Sequence, residues 1–492
     1  MELVAGVDSS TQSTKVELRA RDSGQLTARA SAPHAHVRWD PPVSEQDPRN
    51  WWEALAECFA QFTEADRARV VAISVAGQQH GLVLVGDDGE VLRPAKLWND
   101  TTSAAQARDL VARHSPEQWA QRCGSVPLAS FTIAKLAWVL EHEPEMASRI
   151  ARIMLPHDWL TWRLSGAHVT DRGDASGTGW FDADANEMAP DLLGLVVDDP
   201  AGWLSRLPRI LGPDEAAGTL TPEAAATLGL GDATLVGPGT GDNMGAALGL
   251  GLKPGDTVIS LGTSGTAYSV SRTPTSDPSG AVAGFADATG AFLPLVCTLN
   301  ATRVTDTVAR WLGVDAAGLA DLALAADDGP GTPTLVPYFD GERTPDLPDA
   351  TGLFAGLRND TTREQLALAA HDGVLCGLFD GLDALRSAGV STGGRLHLIG
   401  GGARSAAYRV RAAALHGEAI IVPDEDETVA LGAAVQAAAV SAGRSPAEVA
   451  ADWTLGQGAT VEPPIGVDGR EVRARYAELR KELLTVQQLT GI

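Results

Sequence analysis

Cysteine is scarce in this chain, whose 492 residues include only Cys58, Cys123, Cys297 and Cys376. No two of them form a C-x-x-C pair, so we expect buried, reduced thiols and a cytoplasmic compartment. Long apolar runs are also lacking, since no stretch reaches the roughly 18 residues that a membrane-spanning helix needs. Met1 leads directly into the apolar segment Leu3–Val7 without a basic region. We therefore expect neither a membrane span nor a secretory signal.

Positive charge is the second shortage. Lysine and arginine number 38 against 63 aspartates and glutamates, which gives a formal net charge of −25. A protein that binds a nucleic-acid backbone needs a concentrated positive surface, and this composition argues against one. A single nucleotide is still allowed, because local amides and Mg²⁺ can hold its phosphates. The chain also lacks G-x-x-x-x-G-K-[ST] and G-x-G-x-x-G, which disfavours P-loop NTPases, protein kinases and simple Rossmann dehydrogenases.

Strands and helices alternate along the chain, which predicts an α/β protein. Its length of 492 residues predicts roughly three domains. The opening pattern, with strands at Leu3–Val7 and Lys15–Ala20 around a polar turn, recurs at 257–270 and indicates an internal duplication. Further strands are predicted at Leu26–Ala30, Val70–Val75, Leu82–Val85, Leu396–Ile399 and Ala419–Val422. Helices are predicted at Trp51–Phe62, with Asp47 as its cap and Pro48 as its first residue, and around Thr428–Ala439.

Each of the two recurring hairpins encloses a small polar turn, Asp8–Thr14 in the first and Leu261–Gly265 in the second. Amide N–H groups in such a turn point into one concavity and bind phosphate oxygens. Asp8 ends its strand where it could hold Mg²⁺ through water. Each turn taken singly is compatible with a plain hairpin loop, and it is the pair that favours a phosphate clamp.

Two glycine-rich segments carry further candidate chemistry. The strand before Gly400–Gly402 leads into a helix, which is a common ligand position in open α/β sheets, although a tight connection is the alternative. Asp242 lies in the glycine-rich segment 237–243, where a carboxylate could act as the base for phosphoryl transfer to an alcohol. The alternative is that Asp242 caps a helix at Asn243–Gly249.

A third segment combines His80 with Gln78 and Gln79 at the end of a predicted strand. A polyol needs several converging donors and acceptors, and this loop supplies three such side chains. A single loop histidine is more often an ordinary surface residue, so both interpretations stay open from the residues alone.

Seven segments stand out when they are taken together: Ser44–Pro48 with Trp51-Trp52, Gly77–Gly81, Leu97–Asp100, Ser130–Lys135, Ser260–Gly265, Gly341–Pro345 and Ile399–Arg404. In this order they resemble the FGGY carbohydrate kinases, and within that family the xylulokinases, over nearly the whole chain. The resemblance implies two actin-like (RNase H-like) ATPase domains with a cleft between them. We expect an N-terminal domain at 1–240 on the sugar side, a C-terminal domain at 241–445 on the nucleotide side, and a helical tail at 446–492.

The resemblance also implies MgATP as the phosphoryl donor and D-xylulose as the acceptor, phosphorylated at O5. Carried residue by residue, it implies that Asp242 is the proton acceptor and that Asp8 holds Mg²⁺ and phosphate. Further positions follow from the same match: Gln79 and His80 for sugar binding, Asn99, Asp100 and Asn243 for lining the sugar pocket, Ser10, Thr11, Gly262, Thr263, Ser264 and Gly265 for the phosphates, and Gly401, Gly402 and Ser405 for the adenosine side.

Two positions depart from the family pattern. The first turn begins Asp8-Ser-Ser-Thr where the family usually has D-x-G-T, so Ser10 replaces a glycine and the backbone there cannot require glycine. Gln79 stands where xylulokinases commonly have methionine, which adds an amide beside His80. This amide either changes the acceptor preference or bonds a neighbour.

Two alternative functions remain open at this point. One is another FGGY kinase, acting on ribulose, gluconate, glycerol or a deoxysugar. The other is a non-catalytic filament protein or sugar-sensing regulator with an actin-like fold. A filament protein has little use for a carboxylate at Asp242, and a regulator would usually bring a helix-turn-helix extension, whereas this chain starts at its first strand. The expected partner is a small sugar, with no nucleic acid and no membrane, and a homodimer is left open.

Overall fold

The computed structural model describes residues 1–35, 38–329 and 331–490, with side chains described as far as residue 483. Its internal contacts divide the chain into two compact units. The first comprises Met1–Leu252, Arg272–Leu293 and Glu427–Gly456, and the second comprises Lys253–Ser271, Pro294–Asp426 and Gln457–Ile492. These units divide the chain differently from the domains expected at 1–240, 241–445 and 446–492. The main reason is the helix Thr428–Ala442, which returns to the first unit.

A mixed sheet lies in the first unit. Its strands are β1 (Leu3–Ser9), β2 (Ser13–Ala20), β3 (Leu26–Pro33), β4 (Val70–Gly77), β5 (Gly218–Thr219) and β6 (Leu235–Val236), in the order β5-β6-β4-β1-β2-β3. β1, β2 and β3 are antiparallel neighbours, β4 and β6 run parallel to β1, and β5 is antiparallel at the edge. Every residue of β1 is buried, as expected for a central strand that is covered on both faces. Gly6 lies directly against the helix Thr428–Ala442, where a Cβ would overlap its backbone.

The second unit repeats this topology. Its strands are β7 (Thr257–Leu261), β8 (Gly265–Ser269), β9 (Phe292–Thr298), β10 (Leu396–Ile399), β11 (Ile420–Pro423) and β12 (Gly458–Val461). They pair in the order β12-β11-β10-β7-β8-β9, and each neighbouring pair has the same direction as its counterpart in the first unit. β7 corresponds to β1 and β10 to β4. The shared order and directions support the internal duplication that the recurring hairpin predicts, and they confirm the α/β class.

Helices pack around both sheets, and short strands fill the connections. In the first unit the helices are Arg49–Ala60, Glu64–Arg67, Ala104–Arg113, Pro116–Cys123, Thr132–His142, Pro144–Ala147, Pro156–Ser165, Arg172–Ala175, Pro190–Leu193, Pro200–Leu204, Pro222–Leu228, Asp242–Gly249, Thr428–Ala442 and Pro446–Asp452. Its other strands are Arg38–Asp40, Val43–Gln46, Val83–Val85, Ala95–Lys96, Arg152–Met154, Val169–Thr170, Phe181–Asp182, Glu187–Met188, Arg209–Ile210, Thr240–Gly241 and Ala283–Ala286. The second unit adds helices Thr302–Leu312, Ala316–Ala325, Arg363–Ser387, Ala406–His416 and Gly469–Thr490, a 3-10 turn at Gly401–Arg404, and strands Thr334–Val336 and Leu353–Ala355.

The predicted elements differ from the structure mainly at their ends. The strand at Leu396–Ile399 is confirmed with the same bounds. The first long helix begins at Arg49 rather than Trp51, and Asp47 is not its cap, because Pro48 occupies the capping position. The carboxylate of Asp47 instead accepts the N–H of Arg49 at 3.0 Å.

The cysteines and the helices bear on two further expectations. Cys58, Cys123 and Cys376 are buried free thiols as predicted, whereas Cys297 is half-buried. Within the described part of the chain, no helix combines the length and the hydrophobicity that crossing a bilayer requires.

Candidate active site

Polar side chains gather where three parallel strands of the first unit end. β1 and the short strand Thr240–Gly241 run parallel to β4, and both pair with the same residue of it, Ala76. The carboxyl ends of parallel strands are where open α/β sheets bind ligands. Asp8 on β1, the segment 78–80 after β4, and Asp242 after the short strand therefore lie at one edge of this sheet.

Asp242 is fixed through one of its two carboxylate oxygens. It is the first residue of the helix Asp242–Gly249, whose capping position is occupied by Gly241, so the capping role considered from the sequence is wrong. Oδ1 accepts two hydrogen bonds from Asn243, one from the backbone N–H at 2.8 Å and one from Nδ2 at 2.9 Å. The same Nδ2 donates to Oε1 of Gln79 at 2.7 Å. Neither of the two bonds from Asn243 involves Oδ2, so this oxygen can accept a hydrogen bond from a ligand.

Burial determines the electrostatics of this sheet edge. It raises the pKa of Asp242 to about 7, and the nearby charge of Asp174 adds to the increase. Burial likewise raises the pKa of Asp8 to about 7; Lys15 opposes this increase, whereas Asp242 and Glu427 add to it. A carboxyl group whose pKa lies near neutrality is suited to accept a proton at physiological pH.

The surroundings of Asp8 suit Mg²⁺. Its Oδ1 atom is buried and has no hydrogen-bond partner among the described residues. A buried carboxylate oxygen without a donor is costly, and a cation would stabilise it. The described residues contain no group of three or more His, Cys, Asp or Glu side chains that could hold a metal ion. This is compatible with Mg²⁺, which takes one or two carboxylates and completes its shell with water and substrate phosphates.

Two glutamines add amide groups at the same edge. The Nε2 atoms of Gln78 and Gln79 are buried and have no acceptor in the described part of the chain, so each can donate to a ligand. Oε1 of Gln78 accepts a hydrogen bond from Thr11 Oγ1 at 3.3 Å, and this hydroxyl accepts the indole N–H of Trp98 at 3.1 Å. Gln79 does bond a neighbour, because its Oε1 binds Asn243, yet its amide nitrogen remains available.

His80 is held in an unusual conformation. Its φ is 63°, in the left-handed region, and its backbone N–H donates to Oδ1 of Asp174 at 3.0 Å. Nδ1 of the ring lies 3.2 Å from the same oxygen. The ring stacks on Phe131 with centroids 5.7 Å apart and touches Phe285 at 5.2 Å. His80 is buried, so the interpretation as an ordinary surface histidine is wrong.

The remaining residues assigned in the first unit have distinct local roles. Ser10 does not adopt a left-handed conformation and its hydroxyl donates within its own turn, so glycine is not required there, as predicted. Oδ2 of Asp100 accepts the N–H of Ser44 at 2.9 Å, and Oδ1 accepts the N–H and the hydroxyl of Thr102. Asp100 therefore fixes its loop rather than presenting a free carboxylate to a ligand. Oδ1 of Asn99 is buried without a donor among the described residues.

Next to this edge lies a buried polar cluster that was not predicted from the sequence. It contains His157, Asp158, Asp171 and Asp174, with Nε2 of His157 lying 3.3 Å from Asp158 and 3.2 Å from Asp171. Burial lowers the pKa of His157, but the three aspartates outweigh it and raise the pKa to about 9. The hydroxyl of Thr240 donates to Asp171 at 2.8 Å and connects the cluster to the strand before Asp242. The signal available in the sequence was the pair His157-Asp158 together with the aspartates at 171 and 174.

The second unit brings its own predicted residues together. The carbonyl of Gly262 accepts the N–H of Thr302 at 3.0 Å and its hydroxyl at 2.9 Å, which anchors the turn containing Thr263 and Ser264. Gly400 has a φ of 85° and lies so close to the backbone of Leu261 that a Cβ would meet its carbonyl oxygen. Glycine is thus required where these two turns approach each other. Among the described residues the buried Oγ of Ser405 has no hydrogen-bond partner.

Comparison with known proteins gives consistent matches. The sequence matches the family model of the N-terminal domain of the FGGY family of carbohydrate kinases over residues 3–249, and that of the C-terminal domain over 257–441. It is 48% identical over 462 residues to a xylulose kinase of Streptomyces coelicolor, covering 94% of this chain and 92% of that one. A xylulose kinase of Streptomyces rubiginosus is 47% identical over 461 residues, with the same coverage of both chains. A crystal structure of a xylulose kinase from Bifidobacterium adolescentis has a TM-score of 0.85 and 42% identity, covering 97% of this chain and 99% of that chain.

Proposed function

This chain belongs to the FGGY family of carbohydrate kinases, and from this premise we propose that it transfers the γ-phosphoryl group of ATP to O5 of D-xylulose. The observation that carries the proposal is Asp242, whose Oδ1 is held by Asn243 while Oδ2 is left for a ligand. The choice of sugar is supported by the relatives that are xylulose kinases at nearly half identity over most of the chain.

Asp242 acts as the general base. Its pKa of about 7 lets it take the proton of the sugar hydroxyl near neutral pH, and a base of this kind contributes about 10²–10⁴-fold to the rate. Because Asn243 fixes the carboxylate through Oδ1, the proton goes to Oδ2. Little other covalent chemistry is required of the protein, since phosphoryl transfer depends mainly on positioning and charge stabilisation.

Asp8 would hold Mg²⁺, which when bound neutralises charge on the phosphates of ATP. The amides and hydroxyls of two turns bind the phosphates: Ser10 and Thr11 in the first unit, and Gly262, Thr263, Ser264 and Gly265 in the second. The adenosine part of ATP is bound by Gly401, Gly402 and Ser405. Gln79 and His80 bind the sugar, with Asn99 and Asn243 beside them and Asp100 fixing the loop. This division assigns the sugar to the N-terminal domain and the nucleotide to the C-terminal one; the cytoplasmic location and the homodimer stay predictions.

A sugar panel tests the proposal. ADP release is measured in a coupled assay with D-xylulose, ribulose, gluconate and glycerol, and we expect the highest kcat/KM with D-xylulose. Asp242→Ala should abolish most of this turnover while leaving ATP binding nearly unchanged, since the carboxylate acts on the acceptor. Phosphorylation of ribulose without any of xylulose overturns the choice of sugar. Full turnover by Asp242→Ala would place the base elsewhere.

A further inference from the structure

The backbone of His80 is strained. Only three non-glycine residues in the described part of the chain have a positive φ, and His80, at 63°, is the one at the candidate site. A left-handed conformation is unfavourable for an ordinary L-residue, because its Cβ comes too close to the following carbonyl oxygen. Such strain persists only where the surrounding structure imposes it, and it is common at ligand-binding positions. The contacts that impose it at His80 therefore indicate what this residue is held in place to do.

One carboxylate oxygen contacts both the backbone and the ring of His80. Oδ1 of Asp174 accepts the backbone N–H at 3.0 Å and lies 3.2 Å from Nδ1. Asp174 is completely buried, and its short helix begins with a side-chain cap from Asp171, which accepts the N–H groups of Gly173 and Asp174. The position of this oxygen is therefore fixed by the fold before any ligand binds.

Independent contacts fix the other sides of the residue. The carbonyl of His80 accepts hydrogen bonds from Nζ of Lys135 at 2.7 Å and from the hydroxyl of Thr132 at 3.2 Å. Phe131 and Phe285 pack against the ring. Gly177 lies so close to the ring edge that a Cβ there would overlap it. The ring thus has one available orientation.

This orientation determines the proton on the ring. Oδ1 of Asp174 lies 3.2 Å from Nδ1 without a hydrogen bond between them, and the negative charge of this carboxylate favours a proton on Nδ1 over a lone pair that faces it. On the basis of the proposed function, we propose that Asp174 is a positioning residue for the sugar: it holds His80 with Nδ1 protonated, so that Nε2 presents an acceptor to a hydroxyl of the sugar. The charged groups that face Asp174 are His157, with Nε2 at 3.7 Å, and the more distant Asp171, Lys135 and Asp242.

The test combines kinetics of variants with a measurement on the unmodified enzyme. At about pH 8, where Asp242 is ionised with or without the charge of Asp174, Asp174→Asn should raise the KM for D-xylulose about tenfold, with kcat and the KM for ATP little changed. This is the loss expected for a hydrogen bond to a charged group. The matched control is Asp158→Asn. It removes an equally buried aspartate from the same cluster, but the residue has no contact with His80 among the described ones, and we expect the KM for xylulose to stay near that of the unmodified enzyme. Thermal unfolding of every variant verifies that it is folded.

A double-mutant cycle decides whether Asp174 acts through His80. If it does, Asp174→Asn in a His80→Ala background should raise the KM for xylulose no further than His80→Ala alone. Additive effects overturn the proposal, as does an unchanged KM in His80→Ala. Gly177→Ala offers a second variant that leaves the charges in place and displaces the ring, and it should also raise the KM for xylulose.

Nitrogen-15 NMR of the histidine rings in the ligand-free enzyme needs no variant. It should show His80 with Nδ1 protonated, and a ring with Nε2–H alone overturns the inference. This measurement separates the two proposals, because it reports on His80 even if the sugar panel shows that D-xylulose is not the substrate.

Discussion

Replacing Asp242 by asparagine should make the protein more stable while it removes most of the activity. The reason is that burial raises the pKa of this carboxyl from 3.8 to about 7, so the folded protein must hold an unfavourable charge at about pH 8. This cost amounts to about 4 kcal/mol, and it is an upper value because Asp242 is partly exposed and solvent screens its charge. Asparagine keeps an acceptor for the two hydrogen bonds from Asn243. We expect a gain of about 2–4 kcal/mol.

The pH dependence identifies the cause of the gain. In the unmodified protein the charge penalty is complete above the folded pKa of about 7 and disappears as the pH falls toward the ordinary value of 3.8. The stability difference between Asp242→Asn and the unmodified protein should therefore shrink steadily between these two pH values. Calorimetry or denaturant titration of the ligand-free protein in a chelator, repeated across this range, measures the difference.

Asp256 provides the matched control in the second unit. Burial alone would raise its pKa, but hydrogen bonds from Arg395 and from the N–H of Lys253 outweigh burial and hold the pKa below its ordinary value. Asp256→Asn should consequently destabilise the protein at neutral pH, the opposite sign to Asp242→Asn. The reasoning is refuted if Asp242→Asn brings no gain at about pH 8, or if its gain does not change with pH.

Three further outcomes are expected. Gln79→Met removes the Gln79 acceptor for Nδ2 of Asn243 and should lower kcat/KM for xylulose about fivefold. Gln79→Glu keeps an acceptor and serves as the control. An unchanged kcat/KM in Gln79→Met means that this bond does not position the base. The kcat/KM for xylulose should fall as the pH drops through about 7, because protonated Asp242 cannot act as a base, and a pH–rate profile without this limb would contradict the assignment. Glu342→Ala removes the acceptor of two backbone N–H groups and one of the two acceptors of the buried amide of Asn300, which also donates to the carbonyl of Gly341. It should cost about 3 kcal/mol or more in unfolding free energy, and a loss within experimental error in a chemical melt would argue against a structural role.

The sequence predicts best what is local. The two hairpins were found because alternating apolar residues and small polar turns are short-range signals, and the duplicated topology follows from them. Asp242 was found for the same reason, since a carboxylate in a glycine-rich loop is visible without any partner. A helix around Thr428–Ala439 was also predicted, and it extends to Ala442 in the structure. Its place in the first unit was not predicted, because the close approach of Gly6 to this helix joins residues far apart in the chain.

The contacts that support the candidate site also join residues that lie far apart in the chain. The pairing of His80 with Asp174 joins segments separated by many helices, and no periodicity in either segment encodes it. Asp100 is a second example. The family resemblance assigns it to the lining of the sugar pocket, and the folded loop adds hydrogen bonds from Ser44 and Thr102 to its carboxylate, which the sequence does not reveal. Tertiary hydrogen bonding thus decides which polar residues face a ligand and which support their neighbours.

The two hairpins share the same strand pairing but differ in the residues beside their turns. Each ends in a pair of residues next to its turn, Ser9 with Thr14 and Leu261 with Gly265. One step further from the turn, the first hairpin pairs Asp8 with Lys15, and the second pairs Ser260 with Thr266. After duplication, only one copy therefore retains or acquires ionisable groups at this position, and the other presents hydroxyls. A copy without a carboxylate cannot take over the metal binding that we propose for Asp8, so the two halves of this chain are not interchangeable in that role.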